Sequence, residues 1–106
     1  MSNLKTLISE MFKEKLNESA KITNNESLKI GSLAEKEAAK IRKEGGPLAD
    51  EDAEYMENLA DYSFKRDFKR MSKTMNKGET ENRETAFEIV SSVIGKERAT
   101  ALAKGN

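Results

Sequence analysis

The sequence predicts an all-α single domain, four to five helices packed around a long central helix over about residues 50–75. Three observations lead there. Apolar residues recur at three- and four-residue steps along most of the chain, the spacing that gathers them on one helical face. Pro occurs once, at Pro47, and no stretch reads as a hairpin. Gly45-Gly46, Gly78 and Gly95 cut the pattern into helix-sized pieces. The 106 residues are enough for one domain and too few for two. Charged residues match hydrophobic ones at 36% each, which suits thin helices with wide solvated faces.

The first element is predicted over Leu4 to Leu16. Leu4, Leu7, Ile8, Met11, Phe12 and Leu16 cover about half of a helical wheel, with Lys5, Ser9 and Lys13 opposite. Glu10, Lys13 and Glu14 add pairs at three- and four-residue spacing. This stretch reads as a core helix, as a separable N-terminal helix or leader over 1–18, or as an arm that docks in a partner's groove.

The second element holds two candidate capping boxes, Thr23 to Glu26 and Ser32 to Glu35. Because Gly31 lies between them, the reading prefers a turn over Leu28–Gly31 and a helix from Leu33 to Glu44. Leu33, Ala34, Ala38 and Ile41 form its narrow apolar stripe, and Lys40, Arg42 and Lys43 lie near its end, where the helix dipole favours cations.

The third element opens at Pro47 or at Asp50 as N-cap and runs without a breaker to Met75. Its main stripe is Ala53, Met56, Ala60, Phe64, Phe68, Met71 and Met75. A second stripe, Tyr55, Leu59 and Tyr62, gives it two apolar faces, as expected of a central helix. Further helices are predicted from Thr80 to Ile94 and from Lys96 to Lys104, with a strand over 89–94 as the weaker alternative because Val and Ile cluster there.

Composition excludes several function classes. The chain has neither His nor Cys, so Ser-His-Asp catalysis, thiolate chemistry, structural zinc and the Glu-x-x-His di-iron pattern are ruled out. There is no Gly-x-Gly-x-x-Gly or Walker-type loop. The expectation is a non-enzyme with no cofactor and no metal site. Lys+Arg and Asp+Glu both number 19, so no domain-wide basic footprint for nucleic acid exists. No apolar run approaches a membrane span, so no membrane partner and a cytoplasmic location are expected.

Two charged clusters stand out. Asp50, Glu51, Asp52 and Glu54 crowd a helix start, which the dipole favours; the spacing fails the EF-hand pattern at the sixth and twelfth positions, Tyr55 and Asp61. Lys65, Arg66, Lys69, Arg70 and Lys73 make a basic band at the far end of the same element. The band reads as a solvated face, as a surface for an acidic protein, or as a nucleic-acid contact in which Phe64 and Phe68 interleave with the bases. The run from Ser91 to Ala99 has a helix–Gly–helix outline shared by helix-turn-helix readers and by ordinary helical hairpins.

Ile8-Ser9-Glu10 and Leu16-Asn17-Glu18 are Leu/Ile-x-Glu triplets within a short amphipathic leader. The leader resembles the capsid-targeting peptides of internal and scaffold proteins of large tailed phages, which prohead proteases cut after the Glu. That resemblance covers the first 18 residues and implies trimming after Glu10 or Glu18, in a virion interior or host cytoplasm. The reading as a whole is a small helical protein that binds another protein: an inhibitor or adaptor of a host factor, or an internal head or scaffold component. Its partner-binding candidates are Tyr55, Leu59, Tyr62, Lys65, Arg66, Lys69, Arg70 and Lys73, and leftover apolar surface makes a homo-oligomer compatible with the pattern. The alternative is a nucleic-acid module using the band Lys65 to Lys73.

Overall fold

The computed structural model describes residues 21–105. The predicted helix over Leu4–Leu16 and the positions Glu10 and Glu18 lie outside the described residues. Five helices follow in order, with no strand among the described residues: α1 (Asn24–Glu44), α2 (Ala49–Phe64), α3 (Phe68–Met75), α4 (Thr80–Ile94) and α5 (Lys96–Ala103). The all-α prediction holds, and the Val/Ile cluster at 89–94 is helical.

α1 starts at Asn24, nine residues before the Leu33 at which the preferred reading placed it. The first candidate capping box is the one that forms. Thr23 Oγ1 accepts from the Glu26 N–H at 3.1 Å, and the Thr23 N–H donates to Glu26 Oε1 at 2.9 Å. The helix then crosses Gly31, and Ser32–Glu35 lies within it. Gly31 is a close approach of two helices rather than a turn. A Cβ there would come within 2.4 Å of Phe64 Cε1, so the ring of Phe64 rests on bare α1 backbone. That contact compensates a helix-propensity cost of about 1 kcal/mol for an interior Gly.

α2 returns antiparallel to α1. Ser63 Oγ donates to the Ser27 carbonyl at 2.7 Å at one end, and Arg42 pairs with Glu57 at 2.9 Å toward the other. Neither Pro47 nor Asp50 starts it as expected: Leu48 occupies the N-cap without a side-chain bond, and Asp50, Glu51 and Asp52 fill the first turn.

The expected unbroken helix over 50–75 is two helices. The chain breaks at Arg66, the one non-Gly residue with positive φ (58°) among the described residues. No Gly or Pro marks the spot. The break is held instead by side chains. Asp67 Oδ1 caps α3 by accepting from the Arg70 N–H at 3.2 Å. The Arg66 guanidinium donates to the Ile22 carbonyl at 2.7 Å and to Ser27 Oγ at 3.1 Å. These bonds offset a left-handed backbone that costs about 1–2 kcal/mol for a side-chain-bearing residue.

Every helix contributes to one core: Ile30, Ala34 and Ala38 of α1, Ala53, Met56, Leu59 and Ala60 of α2, Met71 and Met75 of α3, Ala86, Val90 and Ile94 of α4, Ala99 and Leu102 of α5, with Ile22 ahead of α1. Facing alanines let α1 and α2 pack closely. A tight turn at Gly95 (φ 87°) swings α5 back toward the start of α1. There Arg98 donates to both carboxylate oxygens of Glu26 at 2.8 Å and to the Lys21 carbonyl.

Candidate protein-binding surface

The partner-binding candidates do not form one exposed face. Leu59 is completely buried, a core residue rather than an anchor. Tyr55 is half-buried; its hydroxyl donates to the Thr74 carbonyl at 2.5 Å, tying α2 to the end of α3, and burial pushes its pKa up to about 12. Tyr62 is half-buried beneath Arg70, whose guanidinium lies 5.9 Å from the ring centre. The two-faced pattern in α2 arises because α1, α3 and α4 all pack against it.

The basic band is partly committed to the fold. Arg66 is held by Ile22 and Ser27 and lies 5.1 Å over the Phe68 ring. Lys65 pairs with Asp61 at 3.0 Å and Arg70 with Asp67 at 3.5 Å, both exposed. Lys69 and Lys73 are exposed with no ion pair among the described residues. Phe68 lies under Arg66, and Phe64 rests on Gly31 with 38% of its surface still exposed, so of the two rings only Phe64 is partly presented. In the helix–Gly–helix unit, Arg98 is turned inward to Glu26, and Ala99 and Leu102 are core.

The acids meet at the opposite end of the bundle, where the starts of α2 and α4 come together. Asn82 Nδ2 donates to Asp52 Oδ1 at 2.8 Å. Among the described residues no three acids converge as a metal-binding set.

What the structure exposes instead is apolar surface on α1. Leu28 is 54% exposed and Leu33 37% exposed. With Lys29, Ser32 and Lys36 of α1 and Val93 of α4 they line an open groove of about 450 Å³. Its origin lies in the register of α1. The buried row is Ser27, Ile30, Gly31, Ala34 and Ala38, and Leu28 and Leu33 fall on the two margins of that row. A sequence reading that starts the helix at Leu33 puts Leu33 in the stripe and Leu28 in a turn. Running the helix through Gly31 is the step that would have brought both to the surface. Two lysines among leucines make the groove apolar with a positive lining.

No known protein family, curated protein or solved structure matches this chain. No helix among the described residues is long and apolar enough to cross a membrane.

Proposed function

We propose that the protein is a non-enzymatic helical module that binds another protein through the α1–α4 groove. The observation that carries this reading is the exposure of Leu28 and Leu33 beside Val93, on a helix whose other face already supplies the core. Leu28 and Leu33 come from the two margins of α1 and line one groove with Val93, and exposed large apolar side chains at a groove mark a candidate interaction site. Amphipathic helices dock in such grooves through residues at three- and four-residue spacing, and Lys29 and Lys36 favour a partner with acids flanking its apolar stripe. The leader resemblance supplies a setting: an accessory protein of a large tailed phage, either an inhibitor or adaptor of a host factor or an internal head or scaffold component. The basic band supports a nucleic-acid role less well, because Phe68 and Arg66 are engaged with each other and with the Ile22 carbonyl.

The test is the native and intact mass of the protein isolated from its own source, beside a Leu28→Asp/Leu33→Asp variant. The expected result is a co-purifying protein that the variant no longer retains while keeping its helical content. Retention by the variant, or a bare chain of 11.9 kDa from the source, overturns the reading. The same spectrum tests the setting. A chain beginning after Glu10 or Glu18 is expected for a processed head protein, and a full-length mass removes that setting.

A further inference from the structure

We infer that the α1–α4 face pairs with a second copy of this chain, in a two-fold dimer that sets each copy's lysine row against its partner's glutamate row. This rests on the groove being a binding surface, as proposed above, and it names the occupant. Three observations carry it.

The first is how the charges are sorted. Lys36, Lys40 and Lys43 follow one another along the outer face of α1, and Glu81, Glu84 and Glu88 along the outer face of α4. All six are exposed, and none is in an ion pair among the described residues. A chain with no net charge thus carries a positive row and a negative row on neighbouring helices.

The second is spacing. From Lys36 the row steps four residues and then three. From Glu88, read in the opposite direction, its row also steps four and then three. Each row therefore advances about 6 Å and then about 4.5 Å, so two antiparallel helices would bring the charges face to face in register.

The third is where the rows stand. Within one copy α1 and α4 run antiparallel. Leu33 and Lys36 border Val93 and Ser92 at one end, and Lys40 and Glu44 border Glu88 and Glu81 at the other. A two-fold axis along the furrow between the helices keeps each residue's height and exchanges the sides. It lays each α1 antiparallel across the partner's α4. Lys36, Lys40 and Lys43 then meet the partner's Glu88, Glu84 and Glu81 to within a helical turn of about 5 Å, and the symmetry makes the contact twice. Leu33 meets the partner's Val93 between the charged rows. The same operation brings lysines over a cavity of about 540 Å³ whose charged lining is Glu37, Glu44, Asp52, Glu81 and Glu88 against Lys40 alone.

The shared face is small. Two helices side by side are about 20 Å wide, and α4 is about 22 Å long, which places the contact at the low end of specific interfaces. Exposed ion pairs are individually weak and are screened by salt. The dimer is therefore exchangeable, and a tighter partner can replace the second copy on the same groove.

Sedimentation equilibrium on the full chain tests this. The parent is expected at twice the 11.9 kDa chain mass in about 0.1 M salt, and to fall toward the single chain in about 1 M salt, where the screening length drops from about 10 Å to about 3 Å. Lys36→Glu/Lys40→Glu and Glu84→Lys/Glu88→Lys each put like charges across the interface, so each alone is expected to weaken the dimer by on the order of a hundredfold or more. An equimolar mixture of the two restores opposite charges at both contacts and should recover the double mass. Lys36→Gln/Lys40→Gln, a milder change on the same helix, should weaken the dimer in the same direction. A parent that is a single chain in about 0.1 M salt overturns the inference. Variants that dimerise alone as the parent does place the contact on another face, and a mixture that stays monomeric shows that the two rows do not meet; either result overturns it too. The binding reading fails separately, on whether Leu28→Asp/Leu33→Asp keeps its co-purifying protein.

Discussion

Arg66 carries two opposing effects on one residue. Its backbone is left-handed, which disfavours any side chain, and its guanidinium joins the α2–α3 link to the chain ahead of α1. Two substitutions separate these effects. Arg66→Ala removes the bonds and keeps the strain, costing about 2–3 kcal/mol for charge-assisted hydrogen bonds in a partly buried setting. Arg66→Gly removes the same bonds and relieves the strain, so it is expected to be about 1 kcal/mol more stable than Arg66→Ala in urea denaturation. Equal stabilities would show that the left-handed backbone stores no strain. Glu26 makes a second residue-scale case. Its bond from Arg98, helped by the Thr23 backbone N–H, holds its carboxyl at about 2, against an ordinary 4.5. The carboxylate is favoured by the fold, so its contribution is complete above pH 4.5 and is lost as the pH falls toward 2. Glu26→Gln should therefore be less stable than the parent at pH about 5, by about 1–2 kcal/mol for a lost cap and a lost charged bond, with the gap closing at pH about 2. Urea midpoints at the two pH values read this; a gap that does not change with pH would mean that the pair contributes through shape and not charge.

Among the elements, α1 and α2 are set by the contact between Gly31 and Phe64. Ala is a better helix former than Gly by about 1 kcal/mol, so propensity alone makes Gly31→Ala stabilising. The Phe64 ring occupies the space its Cβ needs, and must leave its seat. Gly31→Ala is expected to destabilise by about 1–2 kcal/mol in the parent, in the range for overpacking. In a Phe64→Ala background it is expected to stabilise by up to about 1 kcal/mol. That change of sign is the readout of a double-mutant cycle; the same sign in both backgrounds would place the strain elsewhere. This contact also shows what the sequence could and could not reveal. Helical periodicity located α4 and α5 to within a residue, because glycines bound both and their apolar residues have one destination. It misjudged the start of α1, because a Gly that ends a helix and a Gly that admits a ring onto a helix look alike without the ring's position. It ran α2 and α3 together, because their break is made by Arg66 and Asp67 through contacts with Ile22, Ser27 and Arg70, residues up to 44 positions away.

For the whole molecule, the same limitation governs the candidate surface. Tyr55, Leu59 and Tyr62 form a second apolar stripe on any wheel, and only the packing of α1, α3 and α4 around α2 shows that Leu59 is buried and the two tyrosines half-buried. Leu28 and Leu33 become surface because the buried row of α1 runs through Ser27, Ile30, Gly31, Ala34 and Ala38 and leaves both off it. The order in which the bundle opens follows from how each helix is attached. α5 supplies only Ala99 and Leu102 to the core, burial on the order of 2–3 kcal/mol, well short of what α1 and α2 share. Its ends are held by polar links: Arg98 to Glu26 and the Lys21 carbonyl, and the Ala103 carbonyl accepting from Ser72 Oγ at 3.1 Å and Asn76 Nδ2 at 2.6 Å. A helix so attached should open without the rest, and native-state amide exchange should rank residues 96–103 below the centre of α2. Ser72→Ala with Asn76→Ala removes the links at one end. At about 1 kcal/mol per bond, exchange in α5 should speed up by about ten- to thirtyfold while Ala53 to Ser63 is unchanged. A uniform acceleration across α2 and α5 would instead mean that α5 and the α1–α2 pair unfold as one unit, and that its polar attachments stabilise the whole bundle.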